Sequence, residues 1–425
     1  CGGVWCWRPM GLPRTGRVEW SGLPCDGELR YVGTEGTSIY RSDDDGASFR
    51  QLDVPTPEGA CAMAFPNRVI RMASDPGNAD EIYAALEVSG VVRSLDGGET
   101  WRDCSAGLIE LARQDRLKSQ IGTQDDNEGM MDSHALLVSP TRPGVLLLAN
   151  RMGLFRSPDK GKSWEEMGIG RFSDLTYARD LRVFPHDPDT LFAAMYEKHR
   201  SDWQLVLGGP GTAVYRTDDG GDDWRRLDGI PGGDIGRIGL DYNQATDVLH
   251  AIVENVNPRP EGWLARTDAC SPDREIAADV IGNEVYRSED HGQTWTKTHG
   301  DGVDVAGSKA PYSFNQIITN PADPDHILVN SDTMYESRDG GATWTCGFFG
   351  SVFGDFRTMW WDEQDPERIV IGSDGGVNTS YDGGETADYS VNLPIGEVYA
   401  VGIDMDDPYN IYAGPQDPDS GQSAG

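Results

Sequence analysis

No apolar stretch in these 425 residues approaches the roughly 20 that carry a helix across a bilayer, so nothing in the sequence reads as a membrane span. Basic residues are scarce. Thirty-six Lys and Arg stand against 70 Asp and Glu, a formal net charge of −34. That excess repels nucleic acid and anionic membrane surfaces as general partners and serves solubility. The seven cysteines (Cys1, Cys6, Cys25, Cys61, Cys104, Cys270 and Cys346) contain no Cys-x-x-Cys spacing, which speaks against a zinc site. They leave room for a disulfide or two, with one thiol free or paired outside the chain. A first residue Cys1 rather than Met fits a trimmed secretory precursor, a lipid-anchored cysteine or a fragment, so the expected location is secreted or cell-envelope.

What the chain has in quantity is glycine, proline and repetition: 53 Gly, 25 Pro and seven copies, complete or nearly so, of Ser/Thr-x-Asp-x-Gly-x-(Thr/Ser)-aromatic. They begin at Ser42, Ser94, Ser157, Thr217, Ser288, Ser337 and Ser380; in two, Asp223 replaces the hydroxyl residue and Ala387 the aromatic. The chemistry is that of a hairpin staple. Asp and Ser side chains hydrogen-bond nearby backbone N–H groups, Gly supplies a positive φ, and the aromatic packs beneath the turn. Before most boxes come an apolar run, an Asp/Pro/Asn turn and a second apolar run, as in Met72 to Pro76 leading to Ile82 to Ala85. One unit therefore reads as strand a, turn, strand b, connection, strand c, box, strand d, which is one blade of a propeller.

The fold expected is all-β, a seven-bladed β-propeller over residues 28–425, preceded by a non-propeller segment 1–27. The last strand pair, at 401 to 413, has no box after it, and the first box has only a short strand before it, Leu29 to Thr34. We expect the last pair to complete the first blade and close the ring, with eight blades or part of a larger double propeller left as the alternatives.

The turns of an antiparallel blade alternate between its two ends, so the a–b turns and the boxes share one face. Insertions at 103–133, 196–212 and 254–284 all fall on the other, where ligand-binding loops collect. Within the first, Leu108 to Lys118 has the spacing of a short amphipathic helix. Its acidic stretch Asp125, Asp126, Asn127 and Glu128, with Asp132, could ligate calcium; it lacks the fixed spacing of a calcium loop, and a solvated acidic loop is the preferred reading. No other cofactor or metal is expected.

Six residues before the Pro (or its equivalent) of each a–b turn stand Ile70, His134, Arg179, Arg237, Asn315, Arg357 and Tyr399. Three arginines in corresponding places are out of proportion in so acidic a chain and should face the central funnel together. After strand b a carboxylate recurs, at Glu35, Glu87, Glu197, Glu254, Asp332 and Asp374, with Arg151 and Gln416 as exceptions. Guanidinium groups grip carboxylate or sulfate through paired hydrogen bonds, and neighbouring carboxylates supply acid and base. The competing account is mutual neutralisation by salt bridges in a polar channel.

The box repeat resembles the Asp-box, or BNR-repeat, propellers: sialidases, other glycoside hydrolases, sortilin-type receptor domains and a photosystem assembly factor. The stretch from Asp374 to Asp417 resembles the large secreted BNR-repeat proteins labelled glycosyl hydrolases. The sialidase resemblance implies an arginine cluster (Arg179, Arg237, Arg357) holding a substrate carboxylate. It also implies a tyrosine nucleophile, Tyr399, partnered by Glu254 or Glu197, with Asp332 or Asp374 as acid/base. The Arg-Ile-Pro motif near the start of sialidases is missing, which leaves an anionic saccharide hydrolysed by paired carboxylates as the expected ligand and chemistry. A lyase using Tyr399 and His134 on a uronate draws on the same residues. Arg151, Asn315 and Glu87 complete the expected binding set. The alternative is a non-catalytic scaffold that presents the insertion-bearing face to a protein or peptide.

Overall fold

In the computed structural model, seven four-stranded antiparallel sheets are arranged around a central axis. The structure describes residues 30–390 apart from breaks at 35, 45–46, 64–66, 119–126, 185, 202, 244, 264–265, 277–278, 307–313, 348 and 350–351. Outside that span it describes the backbone of the strands at 18–22, 398–403 and 411–415. Numbering blades in chain order, the innermost strands are Val18–Gly22, Val69–Asp75, Ser133–Val138, Ala178–Phe184, Ile235–Asn243, Gln316–Asn320 and Phe356–Trp361. Each packs beside the next, and the seventh packs beside the first, so the ring is closed.

Closure is achieved differently from the sequence reading. Val18–Gly22, inside the segment expected to precede the propeller, pairs with Arg30–Thr34 and is itself the inner strand of blade 1. It was missed although Pro24 and Asp26 follow it, because the strand itself, Val-Glu-Trp-Ser-Gly, carries no run of apolar residues. The pair expected to complete blade 1, observed as Val398–Ile403 and Ile411–Pro415, forms a separate two-stranded sheet. Blade 1 is thus contiguous in sequence, and the ring is sealed by hydrogen bonds from Arg30 to Thr379 Oγ1 and Tyr381 Oη of blade 7, both 2.7 Å.

The boxes do what their residue types dictate. In blade 2, Asp96 accepts from Thr100 N at 2.8 Å, Thr100 Oγ1 at 2.6 Å and Ser94 Oγ at 2.8 Å. Gly98 N donates to Ser94 Oγ at 2.7 Å, while Trp101 is buried and donates to Gly98 O. Gly97 and Gly98 take φ of 68° and 88°, conformations that a side chain would strain. Several boxes also lean on the start of strand b in their own blade: Gly97 N donates to Asp80 O, Gly220 N to Asp189 O and Gly340 N to Asp325 O, at 2.8–2.9 Å. Boxes and a–b turns therefore share one face, as the alternation of turns requires.

A second repeated bond couples blades. The arginine of the Tyr-Arg-Ser type sequence on strand c reaches the next blade's box: Arg41 to Gly97 O, Arg93 to Lys160 O, Arg156 to Gly220 O and Arg216 to His291 O. Between the sheets lie apolar layers such as Leu147, Leu181, Leu191 and Trp224.

The insertions occupy the opposite face. The first forms helices at Ala106–Ala112 and Glu128–Met131, with Leu108, Leu117, Met130 and Met131 buried against Tyr83, Leu136 and Trp164 of the flanking blades. The amphipathic helix is present, ending earlier than the apolar spacing suggested. The second carries a hairpin, His199–Ser201 with Gln204–Val206. The third forms a small sheet, Ser271–Glu275 with Thr267–Asp268 and Val303–Asp304, and the Cys270–Cys346 disulfide ties it to the outer strand of blade 6. Cys61 and Cys104 are both buried.

Candidate funnel site

The inner strands share one irregularity, and it governs where the candidate residues lie. Ile70, Arg179, Arg237, Arg357 and Tyr399 each fall at a register shift near the start of their strand, between Val69 and Arg71, Ala178 and Asp180, Ile235 and Ile238, Phe356 and Thr358, and Val398 and Ala400. His134 lies at the equivalent shift, where Ala149 faces Ala135 but Asn150 faces Ser133. A β-bulge of this kind inserts an extra residue, breaks the in-out alternation and re-aims its side chain. Asn315 precedes its strand with φ of 54°, a different solution at the same place. The residues aligned six before the turn thus occupy a structurally equivalent position.

Two of the arginines come together. Burial and then the neighbouring charge of Arg179 both disfavour the charged form of Arg237, and Arg71 adds to the effect. Arg237 is 5% exposed, and Arg179 Nε is buried with no hydrogen-bond partner among the described residues. Because guanidinium stays protonated in proteins, crowding of this sort is expressed as attraction for an anion. Glu254 lies on the same side: its Oε2 accepts from Arg237 N at 3.0 Å, and burial pushes its carboxyl up to about 7. Gly236 is required here, since a Cβ would sit 2.1 Å from Glu254 Oε2.

Beside the arginines stands a second cluster. His134 Nδ1 is 2.9 Å from Ala178 O, and its Nε2 is 3.2 Å from Tyr177 Oη and 3.5 Å from Asp132. The two rings stack, with centroids 4.7 Å apart, and Tyr196 meets Tyr177 edge-on at 5.7 Å. Burial lowers the His134 pKa against the opposing pull of Asp132. Burial also raises Tyr177, to about 12, with Arg179 the first opposing charge. For Asp132 burial pushes upward, but the His134 and Arg151 charges outweigh it and leave the carboxyl well below the usual range.

Other candidates are engaged elsewhere. Arg357, expected to join the other arginines, is held by Asp374 through two bonds of 2.7 and 2.9 Å and lies over the Phe314 ring at 4.9 Å. That pair satisfies both partners, so Asp374 is no more a free acid than Arg357 is a free cation. Glu87 pairs with Arg68 at 3.0 Å, and Arg151 bridges Asp132 and Glu128 at 2.6 and 2.9 Å. Glu128 and Asp132, offered above as calcium ligands, are therefore bound to a guanidinium; Asp125 and Asp126 lie outside the described residues. Glu197 accepts from Gly211 N at 2.8 Å, Asp332 from Ser331 Oγ at 3.3 Å, and Asn315 donates to Asn283 at 2.8 Å. The side chain of Tyr399, and Glu35 and Gln416, lie outside the described residues. The mutual-neutralisation account thus holds for several of the carboxylates, while Arg179 Nε has no hydrogen-bond partner among the described residues.

Tyr177 and Tyr196 were missed. Tyr177 sits one residue before the inner strand and Tyr196 one after strand b, so neither falls in the aligned columns, and only the fold places them together.

No protein-family model matches the chain. It resembles a xyloglucanase of Acetivibrio thermocellus, 24% identical over 348 residues, covering 70% of this chain and 33% of the relative. A xyloglucanase of Hypocrea jecorina is likewise 24% identical, over 80% of this chain and 40% of its own length. The chain thus spans between a third and two fifths of these relatives. A vacuolar protein sorting/targeting protein 10 of Clavispora lusitaniae matches 41% of the chain at 24% identity. Among solved structures, a GH74 enzyme of Niastella koreensis superposes over 93% of this chain and 56% of its own, with a TM-score of 0.59 at 16% identity. YCF48 bound to D1 peptide superposes over 87% and 95%, with a TM-score of 0.51 at 14% identity. This is a seven-bladed β-propeller resembling xyloglucanases and YCF48.

Proposed function

We propose that the insertion-bearing face is a saccharide-binding face, and that Arg179 and Arg237 receive the carboxylate or sulfate of an acidic sugar. The observation that carries this is the crowding of two inner-strand arginines from adjacent blades, with Arg179 Nε buried and without a hydrogen-bond partner among the described residues. Similarity to carbohydrate-hydrolysing propellers supports the ligand class, and the disulfide supports a secreted or cell-envelope location. Hydrolysis by paired carboxylates draws less support, because Asp374, Glu87 and Asp132 are each ion-paired.

The test is binding of alginate, polygalacturonate and sulfated dextran against neutral xyloglucan. Acidic ligands should bind more tightly, and Arg179→Gln should weaken them by about 1.5 to 3 kcal/mol, the value of a charge-assisted hydrogen bond. Xyloglucan binding as tightly as the acidic glycans, or acidic-glycan binding unchanged in Arg179→Gln, would overturn the anionic reading. A second reading, a protein- or peptide-binding platform, is supported by Trp203 and Leu205, 86% and 50% exposed on the hairpin of the same face. Retention of a protein partner without any glycan would favour it.

A further inference from the structure

A tyrosine–histidine pair stands beside Arg179. Nδ1 of His134 faces a backbone carbonyl, which can only accept, so Nδ1 carries the hydrogen of the neutral ring. Nε2 is then the unprotonated nitrogen and lies 3.2 Å from Tyr177 Oη, the two rings being stacked. A tyrosine whose proton has a waiting acceptor, next to guanidinium groups able to neutralise a carboxylate, meets the requirements for removing a proton α to that carboxylate.

We propose that this site cleaves a uronate-containing saccharide by β-elimination, with Tyr177 as the catalytic residue and His134 as the positioning residue that takes up the tyrosine's proton. The inference rests on the anionic-saccharide reading above and gives it a substrate class and a reaction. Arg179 and Arg237 hold the C6 carboxylate and stabilise the charge that develops on it. Tyr177 Oη takes the C5 proton as its own proton passes to His134 Nε2. The C5–H electron pair forms the C4=C5 double bond, the C4–O bond breaks with its pair going to oxygen, and Tyr177 returns a proton to that oxygen. His134 then gives its proton back to Tyr177. No water, metal or redox partner is consumed, and Asp132, 3.5 Å from Nε2, stabilises the transient imidazolium.

The experiment incubates the full chain with polygalacturonate, alginate and glucuronan, following three quantities: ultraviolet absorbance of the unsaturated uronate, new reducing ends, and binding by calorimetry. Elimination predicts absorbance and reducing ends rising together. Tyr177→Phe should lower kcat by at least about 100-fold, the usual weight of a general acid/base, with KM little changed and thermal unfolding preserved. His134→Gln should likewise act on kcat rather than KM, whereas Arg179→Gln should raise KM. Reducing ends without absorbance, or binding without cleavage, would overturn elimination while leaving the binding reading intact. Failure to bind any uronate would overturn both, and retained wild-type turnover in Tyr177→Phe would remove this residue from the chemistry.

Discussion

Asp96 shows how a single side chain can be both exposed and structural. Hydrogen bonds from the Thr100 hydroxyl and backbone, then Ser94, lower its carboxyl pKa to about 2, and Asp290 is lowered to about 2 by Thr294 in the same way. A depressed carboxylate contributes stability that is present above its unfolded pKa, near 3.8, and lost as pH falls through about 2. Asp96→Ala should therefore cost about 1 kcal/mol near neutrality, a modest figure because the turn is open to water. Urea unfolding should show the deficit shrinking between pH 4 and pH 2, with ligand binding per folded molecule unchanged. Glu254 works in the opposite direction. Its carboxyl, pushed up to about 7 by burial against the opposing pull of Arg237, is neutral below that pH and negative above it. An anion beside Arg237 would meet a new repulsive charge as pH rises, so affinity for an acidic glycan should fall through pH 7, and Glu254→Gln should flatten the profile. An unchanged slope in that variant would detach Glu254 from the site.

At the scale of the element, the box is legible because the bonds of its Ser, Asp, Thr and Trp side chains in blade 2 close within eight residues, so residue type dictates the geometry of the turn. The bulge near the start of each inner strand is not. It depends on register against strand b, and its only trace in the sequence is the column of polar residues six before the turn. Coupling between blades belongs to this scale as well. Arg156, bonded to Gly220 O at 2.9 Å, joins blade 3 to the box of blade 4. Arg156→Ala should lower stability by about 1 kcal/mol, read as a drop in the urea midpoint with little change in slope, since its accompanying pair with Glu165 is surface-exposed and worth little. An unaltered midpoint would mean that the packed apolar layers alone couple these blades.

For the whole molecule, ring closure rests on Val18–Gly22 lying between the inner strands of blades 7 and 2. Removing residues 18–22 should expose both neighbouring edges and sharply lower the melting temperature. Deleting 395–425, which contains the separate pair Val398–Ile403 and Ile411–Pro415, should have a much smaller effect. A large loss from the second deletion and a small one from the first would restore the closure first expected from the repeat phase. The phase misled because it counts boxes and strand pairs, whereas closure is decided by whichever strand reaches the free edge. Here that strand is five residues long and bears no motif.

The sequence by itself determined the all-β propeller, the number of blades, the box turns and the face on which the insertions lie, because a short-range motif repeated seven times leaves one way to bury seven apolar faces. It also singled out Arg179, Arg237, Glu254 and His134. Only the tertiary structure decided that Arg357 belongs to Asp374 and Arg151 to Asp132 and Glu128, and that Tyr177 stacks on His134. Those charge pairs form within a blade, between the start of its inner strand and the end of strand b, and so depend on the bulged register of the folded sheet, while the Tyr177–His134 stack needs two neighbouring blades in place.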